Sequence, residues 1–510
     1  MIEDASTAVP AGAVLEADVC IVGGGPVGLV LATELASATC HVVVLESGGR
    51  DAATGGDLVQ GESIGDLWQP LSETRARGLG GTSREWTPVG QSGMPGGLRS
   101  HPLTDLDLTH RSWVPNSGWP FDRHALDPFY ARANARLALE PEPDTTPTSP
   151  REGTGLETAF ARFVDRPAIE AIEVEARGSA HIDLYLNATT LRLEENDAGV
   201  QHATVRARGH EFKVKAKVFV LASGGLENAR LMLLSDGHTP GGIGNRHDNV
   251  GRYFMEHLTV MHGEIVPAGV RSLPGTRSNG NDFVQPGWRL RDEVMEKEGL
   301  LGVIVWYVDA GPDSIRNAYY NPWSRLAHGP RSLLRARLKR PDRLLRFGLR
   351  SADGLLRRSP YPLIHAHIEQ PPRRENRITL SDQFDSLGQR RSRLEWHIGA
   401  QERDSLLRTL QLFDSGLRSQ GVGHLSKLPN AASFDMLVEQ SHHHIGTTRM
   451  HADATQGVVN ADCRVHGVAN VYVAGSSVMP TGGAATVTLT SVALALRLAD
   501  HLKARLNERA

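Results

Sequence analysis

A chain of 510 residues exceeds what one hydrophobic core usually supports, so two lobes are expected. Apolar residues make up 40% and charged residues 22%, and a net charge of −3 gives no global sign of a nucleic-acid partner. Three cysteines (Cys20, Cys40 and Cys463) with no C-x-x-C pair suit a reducing cytoplasm, the N-terminus lacks a signal-peptide pattern, and no run reaches the ~18 apolar residues of a membrane span.

The first elements in the chain are the most informative. "EADVCIVGGGPVGLVLATELASATCHVVVLESGG" reads as strand, glycine turn, helix and strand. Gly23, Gly25 and Gly28 form G-x-G-x-x-G. The first glycine permits the tight turn, the second lets backbone approach a pyrophosphate, and the third packs helix on strand. The helix N-terminus attracts the phosphate charge. Glu46, at the end of the second strand, is placed to accept hydrogen bonds from a ribose. Pro26 and Ser47 are counted with this site. The pattern predicts an ADP-containing cofactor, and Glu46 fits NAD and FAD alike. With no second nucleotide fingerprint, a flavin here would take its electrons from the substrate.

Further on, "TRARGLGGTSREW" (74–86) is a glycine-rich loop ending in Trp86, and "PEPDTTPTSP" (141–150) reads as an exposed linker. "KVFVLASGGLENARLMLLS" (217–235) is a buried strand, a Gly224–Gly225 turn and a helix; Ala222 lies at the turn. Arg325 to Arg358 holds eleven Lys or Arg and two Asp, read as a solvated helix face, with a membrane-surface or partner helix as the alternative. "YPLIHAHIEQ", "NRITLSD" and "SRLEWHIG" alternate like strands. The end of the chain repeats strand 470–474, a Gly475 turn and a helix from about residue 486.

Strand–glycine–helix units at both ends and in the middle predict an α/β fold. Its Rossmann-like cofactor domain is assembled from segments 1–100, 181–258 and 440–510. Segments 101–180 and 259–439 form an α+β substrate domain on an antiparallel sheet. The triplet in "SHHHIGTTRM" (441–450) has three readings: a metal pair at His442 and His444, a single base at His443, or a polar turn.

Taken together, the fingerprint with Glu46, "GGTSREW", "VLASGGLENARLML", "GIGN…VGRYFMEH", "ENRITLSD…LGQRR", "HHIGTTRM" and "VHGVANVYVAGSSVMPTGG" resemble the glucose–methanol–choline (GMC) family of FAD-dependent alcohol oxidoreductases, almost end to end. Within it, the chain is similar to bacterial enzymes that oxidise pyranoses and glycosides and to dehydrogenases of aminoglycoside antibiotic biosynthesis. The resemblance implies FAD, with Gly23, Gly25 and Gly28 at the pyrophosphate. It places Gly80, Gly81, Thr82 and Ser83 beside the isoalloxazine, a backbone contact to adenine near Thr190, and Gly475, Ser476 and Val487 along the cofactor. It makes His443 the base that accepts the hydroxyl proton of an alcohol, with oxygen or another acceptor regenerating the flavin.

Two departures stand out. Covalent family members attach flavin through a histidine just before the loop tryptophan; Glu85 stands there, so FAD is expected to be non-covalent. The second catalytic position, His or Asn in the family, is Thr486, whose hydroxyl would orient the same alcohol and also touch the cofactor. On the substrate side, Glu369 and Gln370 are candidates for sugar hydroxyls or an amine, Trp396 and Trp86 for stacking on a sugar face, and His444 for a further contact. Ordinary sheet polarity and core packing are the alternatives. His257, in "FMEHL", could reach the site, with a satisfied structural histidine as the alternative. A second functional reading keeps FAD as a structural group in a non-redox elimination or isomerisation.

Overall fold

The computed structural model describes residues 1–51, 56–66, 70–86, 98–139, 154–164, 166–269, 277–279, 282–308 and 361–508. The 141–150 linker and the basic 325–358 segment lie outside them.

Four consecutive buried valines and leucines, Val42–Leu45, lie between Val14–Val22 and Ile182–Leu186, all parallel. Such a run, apolar on both faces, belongs inside a sheet covered by helices on each side. Ile2–Asp4 closes one edge. On the other side His210–Leu221 is long enough to pair with three strands: Val14–Val22 and Val471–Val473 in parallel, and Gly199–Ala207 antiparallel. Thr189–Asn196 completes an eight-stranded sheet. Helices Pro26–Leu35, Gly224–Leu234 and Val487–Asn507 each follow a strand of this sheet, and the last packs on the first. Glycine turns therefore converge at the carboxyl ends of its central strands, where an open α/β sheet binds ligands.

A second sheet of nine strands is antiparallel at its pairings. Its order runs Gly423–Leu425, Leu258–Pro267, Leu363–Ile368, Val303–Val308, Asp282–Leu290, Leu156–Val164 and Leu98–Ser100, with Arg277–Asn279 and Glu439–Gln440 attached. Gly61–Gly65 joins Arg377–Phe384 and Arg390–Trp396 in a third, three-stranded sheet. Leu98–Ser100 and Gly61–Gly65, both within segment 1–100, thus pair outside the first sheet.

The helix Val487–Asn507 buries Leu489, Val492, Leu496 and Leu502, while its charged side chains find partners at the surface. Arg497 donates to the Ala461 carbonyl, and Asp500 pairs with Arg132. Among the described residues no helix is long and apolar enough to cross a membrane.

Candidate active site

A cavity of about 480 Å³ opens where the glycine turns meet. Its walls explain each glycine separately. A Cβ on Gly28 would stand 2.0 Å from the Gly23 carbonyl oxygen, so only glycine lets the helix sit on the strand. A Cβ on Gly25 would meet nothing within 4 Å, yet Gly25 lines the cavity, so its bare backbone faces the space where a ligand would lie. Pro26 opens the helix behind it, and no side chain caps that N-terminus. Glu46 lies at the end of its strand and accepts the N–H groups of Gly24 (2.8 Å), Gly48 (2.7 Å) and Gly78 (3.1 Å). Burial raises its carboxyl, and those N–H donors oppose the rise.

Gly23, Ser47, Gly81, Thr82 and Ser83 line the same cavity, as do Ala222, Gly475, Ser476 and Val487. Ser83 is fixed by donating to the Gly80 carbonyl at 2.6 Å; Gly80 itself lies behind the wall. Thr190 lines the cavity with a buried Oγ1 that has no hydrogen-bond partner among the described residues. Glu85 and Trp86 also face it. Asn228, fully buried, ties two turns of the wall together. Its amide donates to the Ala474 carbonyl (3.3 Å) and Ser477 Oγ (3.1 Å), and its oxygen accepts the Ser223 N–H (2.8 Å).

The histidine triplet lines the same cavity, against the Gly225 and Ser476 turns. Leu258 pairs with Gln440 and Met255 with Ile445, so three steps along one strand face five along the other. The two surplus residues form a bulge, a device that re-aims side chains beside active sites. His442 makes the turn with φ 61°, in the left-handed region. The N–H of His443, displaced from the ladder, is taken up by Glu256 Oε1 at 2.5 Å. His443 Nδ1 lies 2.9 Å from Nδ1 of His257, whose Nε2 is 2.7 Å from the Gly483 carbonyl oxygen. His442, His443 and His444 all line the cavity. Burial pushes His442 down to about 4 and His444 well below the ordinary imidazole value, disfavouring the charged form of each. His444 tilts onto Phe254, with ring centroids 5.8 Å apart. Among the described residues no group of three His, Cys, Asp or Glu side chains is set to hold one metal ion.

Several expectations need revision. Gln370 and Trp396 do not face the cavity. Both are 1% exposed, and the Trp396 indole N–H donates to Gln370 Oε1 at 2.7 Å. The Gln370 amide donates to the His397 carbonyl and to Glu402. Its hydrogen-bonding capacity is spent on structure, which removes both residues from the substrate contacts. Glu369 is also structural, held by Arg111 with both side chains 0% exposed. Thr486 stands at the N-cap of the last helix; Val487, Thr488 and Ser491 carry the cavity wall there. Sequence reasoning did not pick out Glu256 as a contact or Thr488 as a lining residue. The signal for Glu256 is its neighbour: an acid beside a histidine, directly before a strand.

A family model described as FAD binding domain matches residues 18–304, more than half of the chain. Another, described as GMC oxidoreductase, matches residues 372–495. The chain belongs to the GMC oxidoreductases. This GMC oxidoreductase is 27% identical to 6'''-hydroxyparomomycin C oxidase of Streptomyces lividus, over 96% of its own length and 92% of that protein's. It is also 27% identical to the fructose dehydrogenase large subunit of Gluconobacter japonicus over 57% of its length, and spans about half (48%) of that relative. Pyridoxine 4-oxidase from Mesorbium loti shares the fold, with TM-score 0.56 at 17% identity over 96% of this chain and 99% of that one.

The residues present fit FAD. The bare backbone of Gly25 and the uncapped helix at Pro26 suit the pyrophosphate, Glu46 lines the cavity at the strand end where a ribose would reach it, and Thr190 Oγ1, without a partner among the described residues, offers a polar contact. The helix Val487–Asn507 also begins without a side-chain cap at the cavity, so the positive end of its dipole meets any negative charge held there.

Proposed function

We propose that this GMC oxidoreductase oxidises a hydroxyl group of a sugar, glycoside or aminoglycoside-like substrate to a carbonyl, with FAD held non-covalently. The observation that carries the reading is the position of His443, an imidazole in the wall of the cavity that the glycine fingerprint builds. The carbohydrate class is supported by likeness to an oxidase of hydroxyparomomycin and to a fructose dehydrogenase subunit.

Bound FAD supplies the hydride acceptor. The chain's own residues do the rest. His443 takes the hydroxyl proton, a role suited to an imidazole because its ordinary pKa lies near neutrality. The Glu256 carboxyl oxygen Oε1 holds the His443 backbone in place, and His257 holds its ring. The uncapped start of Val487–Asn507 stabilises negative charge arriving on the cofactor side. The Thr488 hydroxyl, in the cavity wall at the same helix start, orients the alcohol; Thr486, expected from the sequence in that role, is the buried N-cap residue and is not among the residues that line the cavity. Glu85 occupies the place where a histidine would make the covalent flavin link.

The test is an anaerobic screen of sugars, glycosides and aminocyclitol glycosides against the yellow holoprotein, followed by admission of air. Bleaching by a carbohydrate alcohol is expected, and recovery in air would make oxygen an acceptor. A flavin that stays yellow with a substrate that is nonetheless turned over would establish the non-redox reading.

A further inference from the structure

We propose that His257 is a positioning residue that fixes the tautomer of His443, placing its ring proton on Nδ1 and leaving Nε2 as the proton-accepting nitrogen.

The Gly483 oxygen can only accept, so His257 Nε2, 2.7 Å away, must donate and carries a hydrogen. A neutral imidazole has one N–H, so His257 Nδ1 is then an acceptor. The atom facing it at 2.9 Å is His443 Nδ1, which must therefore donate. The one remaining nitrogen of neutral His443 is Nε2, and it bears the lone pair. Gly483 oxygen, His257 and His443 thus form a chain in which each hydrogen bond dictates the next, and the partner of one ring nitrogen decides which nitrogen reacts.

The competing arrangement makes His257 a cation that donates at both ends. Its side chain is 1% exposed, and burial lowers its pKa; the Gly483 carbonyl and the Glu369 carboxylate act the other way without reversing that. The two rings meet nearly edge-on, with centroids 5.1 Å apart and planes at 83°, so Nδ1 points at Nδ1 without stacking. Main chain fixes both ends. Gly483 lies three residues before the cap of the last helix, and a Cβ on its neighbour Gly482 would come within 3.3 Å of His257 Nε2. Glu256 Oε1 accepts the backbone N–H groups of both histidines, at 2.9 Å for His257 and 2.5 Å for His443. Both ring positions are therefore set before any substrate arrives.

The catalytic consequence rests on the alcohol-oxidation reading; the tautomer does not, so the two are measured separately. Holoprotein labelled with 15N in its histidine rings is examined by NMR at neutral pH without substrate, and the His443 signals are assigned by their loss in His443→Asn. The expected spectrum shows His443 protonated at Nδ1. In His257→Phe, which keeps a flat aromatic ring but removes the acceptor, the proton moves to Nε2, the form favoured in water. Anaerobic flavin reduction there falls roughly tenfold to a hundredfold at unchanged FAD content and substrate affinity. His257→Gln, whose amide carries both an acceptor and a donor, restores the Nδ1 proton and most of the rate. Wild-type His443 protonated at Nε2 overturns the proposal, even if the phenylalanine variant does not fold. So does a folded phenylalanine variant that keeps the Nδ1 proton. If no alcohol bleaches the flavin but the Nδ1 proton is found, only the oxidation reading fails.

Discussion

Glu256 Oε1 accepts the backbone N–H of His443 at 2.5 Å and that of His257 at 2.9 Å, so one buried carboxyl ties the base to its neighbour. Burial raises this carboxyl from 4.5 to about 8, more than those N–H donors lower it. The folded protein therefore binds a proton that the unfolded chain releases between these values. The stability this contributes is fully present below about pH 4.5 and is lost as the pH rises through about 8. Glu256→Gln keeps an acceptor oxygen and cannot ionise. Urea unfolding at pH 5 and pH 8.5 should show the variant gaining on the wild type at the higher pH, by on the order of 1–3 kcal/mol. A wild-type–variant difference that does not change with pH would show that this carboxyl titrates normally.

The two glycines of the turn should fail in different ways. Gly28→Ala sets a Cβ 2.0 Å from the Gly23 carbonyl oxygen and forces helix and strand apart. It should destabilise the apoprotein by roughly 1–3 kcal/mol, read from its urea midpoint. Gly25→Ala meets nothing within 4 Å and should leave that midpoint within about 0.5 kcal/mol. It should still weaken FAD binding at least tenfold, because the added methyl stands where the pyrophosphate approaches. Titration of apoprotein with FAD checks this; equal affinity would place the cofactor elsewhere.

Arg111 and Glu369 make a two-pronged ion pair, at 2.8 and 2.5 Å, with both side chains fully buried. Burial alone would raise the Glu369 carboxyl, yet the Arg111 guanidinium holds it below its ordinary value. Removing one partner strands a charge, so Glu369→Ala should lose on the order of 3–5 kcal/mol in urea unfolding. Replacing both, Arg111→Met with Glu369→Leu, should recover much of that loss. Because Glu369 is fully buried against Arg111 and does not line the cavity, KM should not change in either protein; a raised KM in the double variant would return Glu369 to the substrate site.

What the sequence revealed depended on how local each pattern was. The Gly23–Gly28 turn and Glu46 belong to one strand–helix–strand unit, so spacing along the chain located them. His443 was legible because its motif, from His443 to Thr447, is contiguous. The His257–His443 contact was not, since 186 residues separate the partners and the bulge that joins them depends on strand pairing. Gln370 and Trp396 misled for a related reason. "YPLIHAHIEQ" alternates as if one face met solvent, but Leu363–Ile368 is buried on both faces, and Gln370, just beyond it, bonds Trp396 of the strand Arg390–Trp396 inside the protein.

The most direct test of the central claim is stopped-flow flavin reduction in His443→Ala, using the best alcohol from the anaerobic screen. The account predicts the same yellow holoprotein with the same FAD content and reduction slowed by roughly 10²- to 10⁴-fold. Reduction at the wild-type rate, with FAD still bound, would contradict it.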